Sequence, residues 1–232
     1  MENKKNDDDN INEIKIILLG ESGVGKTNLI NVFFGFGFDQ KSQANNSSFS
    51  YEGEYLYKKK SYKYTIWDTA GQEQYRAINK IFLRGAKIIL IVYAIDSRQT
   101  FEEIDFWINF VKKNQGKSKY IMALVANKID LIENQMVMDE EGKEIAKKYG
   151  IKFLITSALS SAKSFINFVN NLVKDYIDKY SVEGILVEDT PTIKINKKRK
   201  KNKKNAVNNF IEINIFFNSY IIFFPLIILY NI

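Results

Sequence analysis

The chain has 232 residues, enough for one large domain with a full core, and its hydrophobic content of 45% is that of a globular body. It contains no histidine and no cysteine, which excludes His- or Cys-based nucleophilic catalysis, thiolate metal sites and a disulfide framework, and fits a reducing compartment. The net charge of +7 looks like a nucleic-acid signal until it is located: eight basic residues and no acidic one lie between Lys194 and Lys204, leaving 26 basic against 27 acidic residues elsewhere.

Residues 1–12 are polar and acidic, read as a disordered arm, and lack the apolar core of a secretory signal. Residues 13–180 then alternate strands with helices. IKIILL at 14–19 is a near-continuous apolar run, the pattern of a strand buried on both faces. KTNLINVFF at 26–34 predicts a helix with Leu29, Ile30, Phe33 and Phe34 on one face. Residues 51–57 and 63–67 predict two strands joined by a polar KKKS turn. A strand at 87–93, a helix at 101–113, a strand at 120–126 (YIMALVA), a helix at 139–149 and a strand at 152–155 follow. A helix at 160–176 closes the body with a stripe of Phe165, Phe168, Val169, Leu172 and Tyr176. The alternation predicts a doubly wound α/β fold of the P-loop NTPase kind, a mostly parallel sheet of about six strands with helices on both faces. Phe106, Trp107 and Phe110, at helical spacing, read as packing residues rather than a cofactor box.

Beyond residue 180 the character changes to a linker over 181–209, which includes the basic run, and then to a hydrophobic tail over 210–232. Residues 213–232 are 20 residues without a charge, 15 of them apolar or aromatic, near the minimum that crosses a bilayer, with Asn214, Asn218 and Pro225 interrupting. Two readings stand: a tail anchor that holds the body on the cytosolic side, or translated AT-rich non-coding sequence, as the Ile, Phe, Asn, Tyr and Lys bias suggests. The basic run is open to three: attraction to anionic lipid at about 1 kcal/mol per Lys or Arg, a nuclear-localisation or nucleic-acid patch, or a solvated linker.

Three motifs carry the chemistry. GESGVGKT at Gly20 to Thr27 follows a buried strand and opens a helix, the context a phosphate loop requires. Gly20, Gly23 and Gly25 permit the tight turn that aims backbone N–H groups and the helix N-terminus at phosphate oxygens, with Glu21, Ser22, Val24 and Asn28 completing the nucleotide-binding stretch. Lys26 reaches the β- and γ-phosphates, and the Thr27 hydroxyl is a ligand for Mg²⁺. In WDTAGQE at Trp67 to Glu73, Asp68 ends a strand where its carboxylate binds Mg²⁺ through water. Gly71 lets a backbone N–H approach the γ-phosphate, and Gln72 orients an attacking water. In NKID, Asn127, Lys128 and Asp130 follow the end of a buried strand, where open α/β sheets bind ligands. The Asp130 carboxylate suits the N1–H and amino group of guanine, which adenine does not offer, so the expected ligands are GTP and GDP.

These motifs, in their order and spacing, resemble the Ras superfamily of small GTPases, over about residues 14–176. Trp67 before Asp-Thr-Ala-Gly, the stretch QYRAINKIFLRGAK at 74–87 and IVYAI at 91–95 resemble the Rab branch, with no inserted helix of the Rho type apparent. The resemblance implies slow hydrolysis of GTP with Lys26 and Gln72 as catalytic residues, a switch role in vesicle trafficking, and residence in the cytosol and on the cytoplasmic face of an intracellular membrane. It also implies an exchange factor, a GTPase-activating protein and effectors as partners, and no nucleic acid. By the same likeness Phe38 stacks edge-on with guanine, and Ser157 and Ala158 bring backbone N–H groups near the guanine oxygen.

The chain departs from the pattern in several places. Leu159, counted with Ser157 and Ala158 among the nucleotide-binding residues, stands where a lysine usually follows Ser-Ala, which alters one contact to the base region, and Ala94 stands where an aspartate is usual. No threonine occurs in QANNSSFS at 43–50, although spacing puts the first-switch threonine at Asn45 or Ala44, with Ser47 or Ser48 as the available substitutes; nor is there the glycine that usually follows. Rab proteins end in prenylated cysteines, which this sequence lacks. The altered first switch leaves an alternative open, a non-hydrolysing Rab-like nucleotide-binding scaffold.

Overall fold

The computed structural model describes residues 13–40, 49–69, 82–180 and 192–194. Its centre is β4 (Ala86–Ala94), buried along its whole length because it lies mid-sheet with helices over both faces. Around it the strands run in the order β6 (Lys152–Ile155), β5 (Ile121–Asn127), β4, β1 (Glu13–Leu19), β3 (Lys60–Asp68), β2 (Phe49–Tyr57) and β7 (Thr192–Lys194). From β6 to β3 the sheet is parallel, and β2 returns antiparallel to β3.

Period-two alternation sends side chains into two separate cores. On one face Ile14, Ile16, Leu18, Leu90, Val92 and Val125 meet α1 (Lys26–Phe33) and α5 (Ala162–Tyr180), which contribute Leu29, Phe33, Phe165, Val169 and Tyr176. On the other, Ile17, Leu19, Ile89, Ile91 and Leu124 pack with α3 (Ile104–Gln115) and α4 (Asp139–Tyr149) through Trp107, Ile108, Val111 and Ala146. The helix α4 carries Asp139, Glu140 and Glu141 in its first turn and Lys147 and Lys148 in its last, which complements the helix dipole.

Three details differ from the sequence expectation. The hairpin turns on Lys58 and Lys59 alone, both at positive φ (49° and 62°), so Lys60 and Ser61 belong to β3 rather than to the turn. Left-handed central residues give a twist that matches the flanking strands. The single helix expected over 101–113 is divided at Glu103 into α2 (Arg98–Glu102) and α3. Thr100 ties α2 to the end of β4: its hydroxyl accepts from the Ala94 N–H at 3.1 Å and donates to the Ser97 carbonyl at 2.9 Å. Finally, within the segment read as a linker, β7 pairs antiparallel with β2, Ile193 opposite Tyr55. The tail over 210–232 and the arm over 1–12 lie outside the described residues; among those that are described, no helix is long and apolar enough to cross a membrane.

Candidate nucleotide-binding site

Parallel strands end at a common edge, and all three motifs hang from it: the glycine-rich loop after β1, Asp68 at the end of β3, and Asn127 to Asp130 leaving β5. This is the carboxyl edge where open α/β sheets hold ligands, and the strand order reverses beside β1.

The loop between β1 and α1 is shaped by confinement. Gly20 (φ 141°) and Gly25 (φ 93°) adopt backbone conformations that side chains disfavour, and each is closely covered. A Cβ at Gly20 would stand 2.1 Å from the Val92 carbonyl oxygen, and one at Gly25 would stand 2.4 Å from Asn127 Nδ2. Gly25 is the N-cap of α1 and supplies no side-chain cap, so the first-turn N–H groups face the loop as an anion-binding terminus. The buried Lys26 ammonium donates to the carbonyls of Gly20 (2.8 Å) and Glu21 (2.9 Å), bracing the turn from within.

Asp68 is only 1% exposed although it ends a strand at the ligand edge, and Thr69 beside it donates from its hydroxyl to the Leu18 carbonyl at 2.7 Å. That bond locks the end of β3 to the end of β1. The Thr27 hydroxyl and Asp68 carboxylate are hard oxygen donors, the chemistry that Mg²⁺ selects when phosphates and water supply its remaining ligands.

Asn127, 1% exposed, joins the two halves of the site. Its Nδ2 donates to the Val24 carbonyl in the phosphate loop at 2.8 Å, and its Oδ1 accepts from the Ala158 N–H at 3.2 Å. Lys128 sits at φ 70° and bonds Asp96 at 3.2 Å. Asp130, in the 3-10 turn Ile129–Asn134, accepts a short hydrogen bond from the Ser157 hydroxyl. That hydroxyl in turn accepts from the N–H groups of Leu159 (2.9 Å) and Ser160 (3.0 Å). The Ser157 N–H donates to Ser161 Oγ at 2.7 Å. The Asp130 loop and the Ser157 loop therefore form one hydrogen-bonded unit. The segment that follows the 3-10 turn is held by Arg98, which donates to the Met136 carbonyl at 2.6 Å and to both carboxylate oxygens of Glu141. The guanidinium, with help from the Met138 N–H, holds the Glu141 carboxyl down at about 2.

Of the residues named from the sequence, Gly20 to Asn28, Asp68, Asn127, Lys128, Asp130, Ser157 and Ala158 thus gather at one edge. Phe38 lies on the loop after α1 and is 42% exposed, and Leu159 is 57% exposed beside Ser157. Gly71 and Gln72 lie outside the described residues, as do Asn45, Ser47 and Ser48. Two residues of the site escape sequence reasoning. Trp107, read as packing, is buried, yet its indole N–H donates to the Glu21 carboxylate of the phosphate loop at 3.2 Å. Thr69 has the strand-linking role described above. A buried indole or hydroxyl must find a partner, but which partner depends on topology.

A glycine-rich loop after β1 and the Asn-Lys-x-Asp turn after β5, joined by one buried carboxamide at the edge of this sheet, fit a P-loop GTPase fold. The Ras family matches residues 15–178, and the chain belongs to that family. Within it the chain is Rab-like. Ras-related protein RGP2 of Oryza sativa subsp. japonica is 41% identical over 153 residues, covering 63% of this chain and 67% of that protein. Ras-related protein Rab-11A of Dictyostelium discoideum is 38% identical over 168 residues, 70% of this chain and 75% of its own. Ras-related protein RABA4b of Arabidopsis thaliana is 38% identical over 174 residues, 75% and 77% respectively.

Proposed function

We propose that this chain binds GTP and GDP with Mg²⁺, hydrolyses GTP slowly, and acts as a Rab-like switch in vesicle trafficking on the cytoplasmic face of an intracellular membrane. The observation that carries the reading is Asn127, whose carboxamide bonds the phosphate loop on one side and the base loop on the other. Such a tie lets one ligand engage both loops at once.

In this reading the first-turn N–H groups of α1 hold phosphate oxygens, and Lys26 exchanges its bonds to Gly20 and Glu21 for the β- and γ-phosphates. The Thr27 hydroxyl and the Asp68 carboxylate would hold Mg²⁺, which when bound would supply positive charge to offset that of the phosphates. Asp130, oriented by Ser157, reads guanine. Gln72 aligns water, and an activating partner supplies an arginine, because the phosphate loop and residues 39–50 contain none. The basic run at 194–204 suits an anionic lipid surface.

The test is retention of GDP or GTP by purified protein in magnesium, competed with ATP, followed by single-turnover hydrolysis. Gln72→Leu slows hydrolysis and leaves binding intact; unchanged kinetics count against the assignment. The absence of threonine from residues 43–50 favours a second reading, a static nucleotide-binding scaffold. That version shows the same hydrogen-exchange pattern with GDP and with GTP, whereas a switch protects its loops differently in the two states.

A further inference from the structure

We infer that Asn28 is a positioning residue: its side chain fixes the loop that carries Phe38 and so governs how long guanine nucleotide stays bound. This rests on the nucleotide reading above and adds a residue whose action runs through the backbone of another segment.

Asn28 stands in the first turn of α1, immediately after Thr27. Its Nδ2 donates to the Asp39 carbonyl at 3.1 Å, and its Oδ1 accepts from the Asp39 N–H at 3.0 Å. A carboxamide presents a donor and an acceptor side by side, and both are matched here by the backbone acceptor and donor of one residue, Asp39. Asp39 directly follows Phe38. Upstream, the loop is anchored a second time at Phe36, whose N–H donates to the Asn31 carbonyl at 2.8 Å and whose ring stacks on Phe34 with centroids 6.2 Å apart. Phe38 therefore sits between two fixed points, 42% exposed and outside the buried core. An exposed aromatic held this way is suited to close over a flat ligand, and ordering the loop in advance removes that entropic cost from binding.

The full chain, loaded with GDP in magnesium, is compared with Asn28→Leu, Asn28→Asp, Phe38→Ala and the pair Asn28→Leu with Phe38→Ala. Asn28→Leu removes both bonds and speeds GDP dissociation about tenfold, the equivalent of two modest hydrogen bonds, while association changes little. Asn28→Asp keeps the acceptor and falls between. Because both residues act through one loop, the pair releases GDP no faster than Phe38→Ala alone. Parent-like dissociation in Asn28→Leu or in Phe38→Ala, or effects that multiply in the pair, overturns the inference. Should Asn28→Leu not fold, hydrogen exchange at the Asp39 amide of the parent decides: protection supports the lock, and exchange at the rate of a free peptide overturns it. A parent that fails to retain GDP refutes the nucleotide reading itself, and this inference with it.

Discussion

Replacing Asn127 by leucine keeps the volume and removes the carboxamide. The Val24 carbonyl loses its 2.8 Å donor and the Ala158 N–H its 3.2 Å acceptor, and both residues are buried. At about 1–3 kcal/mol for each buried group left unsatisfied, the cost is about 2–6 kcal/mol. Against a usual domain stability of about 5–15 kcal/mol this is a large fraction. Asn127→Asp separates the two bonds: the acceptor for Ala158 survives, but a carboxylate now opposes the Val24 carbonyl. Its folded-state pKa should rise above the unfolded value, so the deficit is largest at neutral pH and shrinks as acid restores a proton able to bond Val24. Urea unfolding at fixed GDP and magnesium measures both variants, since ligand concentration itself shifts apparent stability. A change below about 0.5 kcal/mol in Asn127→Leu, the range of ordinary surface substitutions, would refute the idea that this side chain joins the two loops.

Gly53→Ala places a Cβ 2.3 Å from Tyr64 Oη and 2.4 Å from its Cζ, and should destabilise by about 1–3 kcal/mol through overpacking; a thermal midpoint equal to the parent's would contradict that contact. Trp107→Phe keeps the packing and deletes the bond to Glu21, with an expected loss of about 1–2 kcal/mol and faster GDP release. Glu21→Gln should be non-additive with it, and simple additivity would argue against the pairing. Glu141, held at about 2 by Arg98, has a folded pKa below its unfolded one, so its contribution is present above the ordinary carboxylate range and lost as pH falls toward 2. Arg98→Leu should therefore flatten the acid limb of a stability-against-pH curve below about pH 4; an unaltered limb would mean the pair is not formed in solution.

Much of the fold can be read from the chain because its central parallel strands are apolar on both faces and its helices are striped. The helix over Asp139–Tyr149 and the strand over Lys152–Ile155 fall where the pattern sets them. Local chemistry fails where neighbours decide. The polar run KKKS says that a turn is present, but only the strand pairing reveals that two lysines suffice. A continuous helix pattern hides both the break at Glu103 and the bond of Thr100 to the end of β4, which only the fold brings together. At the site, the spacing of glycines and of Asn-Lys-x-Asp points to the right edge. The side chain that joins the two motifs spans 103 residues of sequence and becomes visible only when the sheet brings β5 beside the phosphate loop.

β4 has one further consequence. Its alternate residues belong to different interiors, Leu90 and Val92 to one and Ile89 and Ile91 to the other, so its backbone is a partition with no water on either side. Each compartment can exchange volumes among its own members over evolutionary time without consulting the other, provided the wall stays in place. The wall also carries a floor: the Val92 carbonyl lies directly against the Gly20 backbone. Drift in lineages of this protein should therefore be freest at the far ends of the helices and slowest along residues 88–94, where one displaced carbonyl would lift the cradle above it.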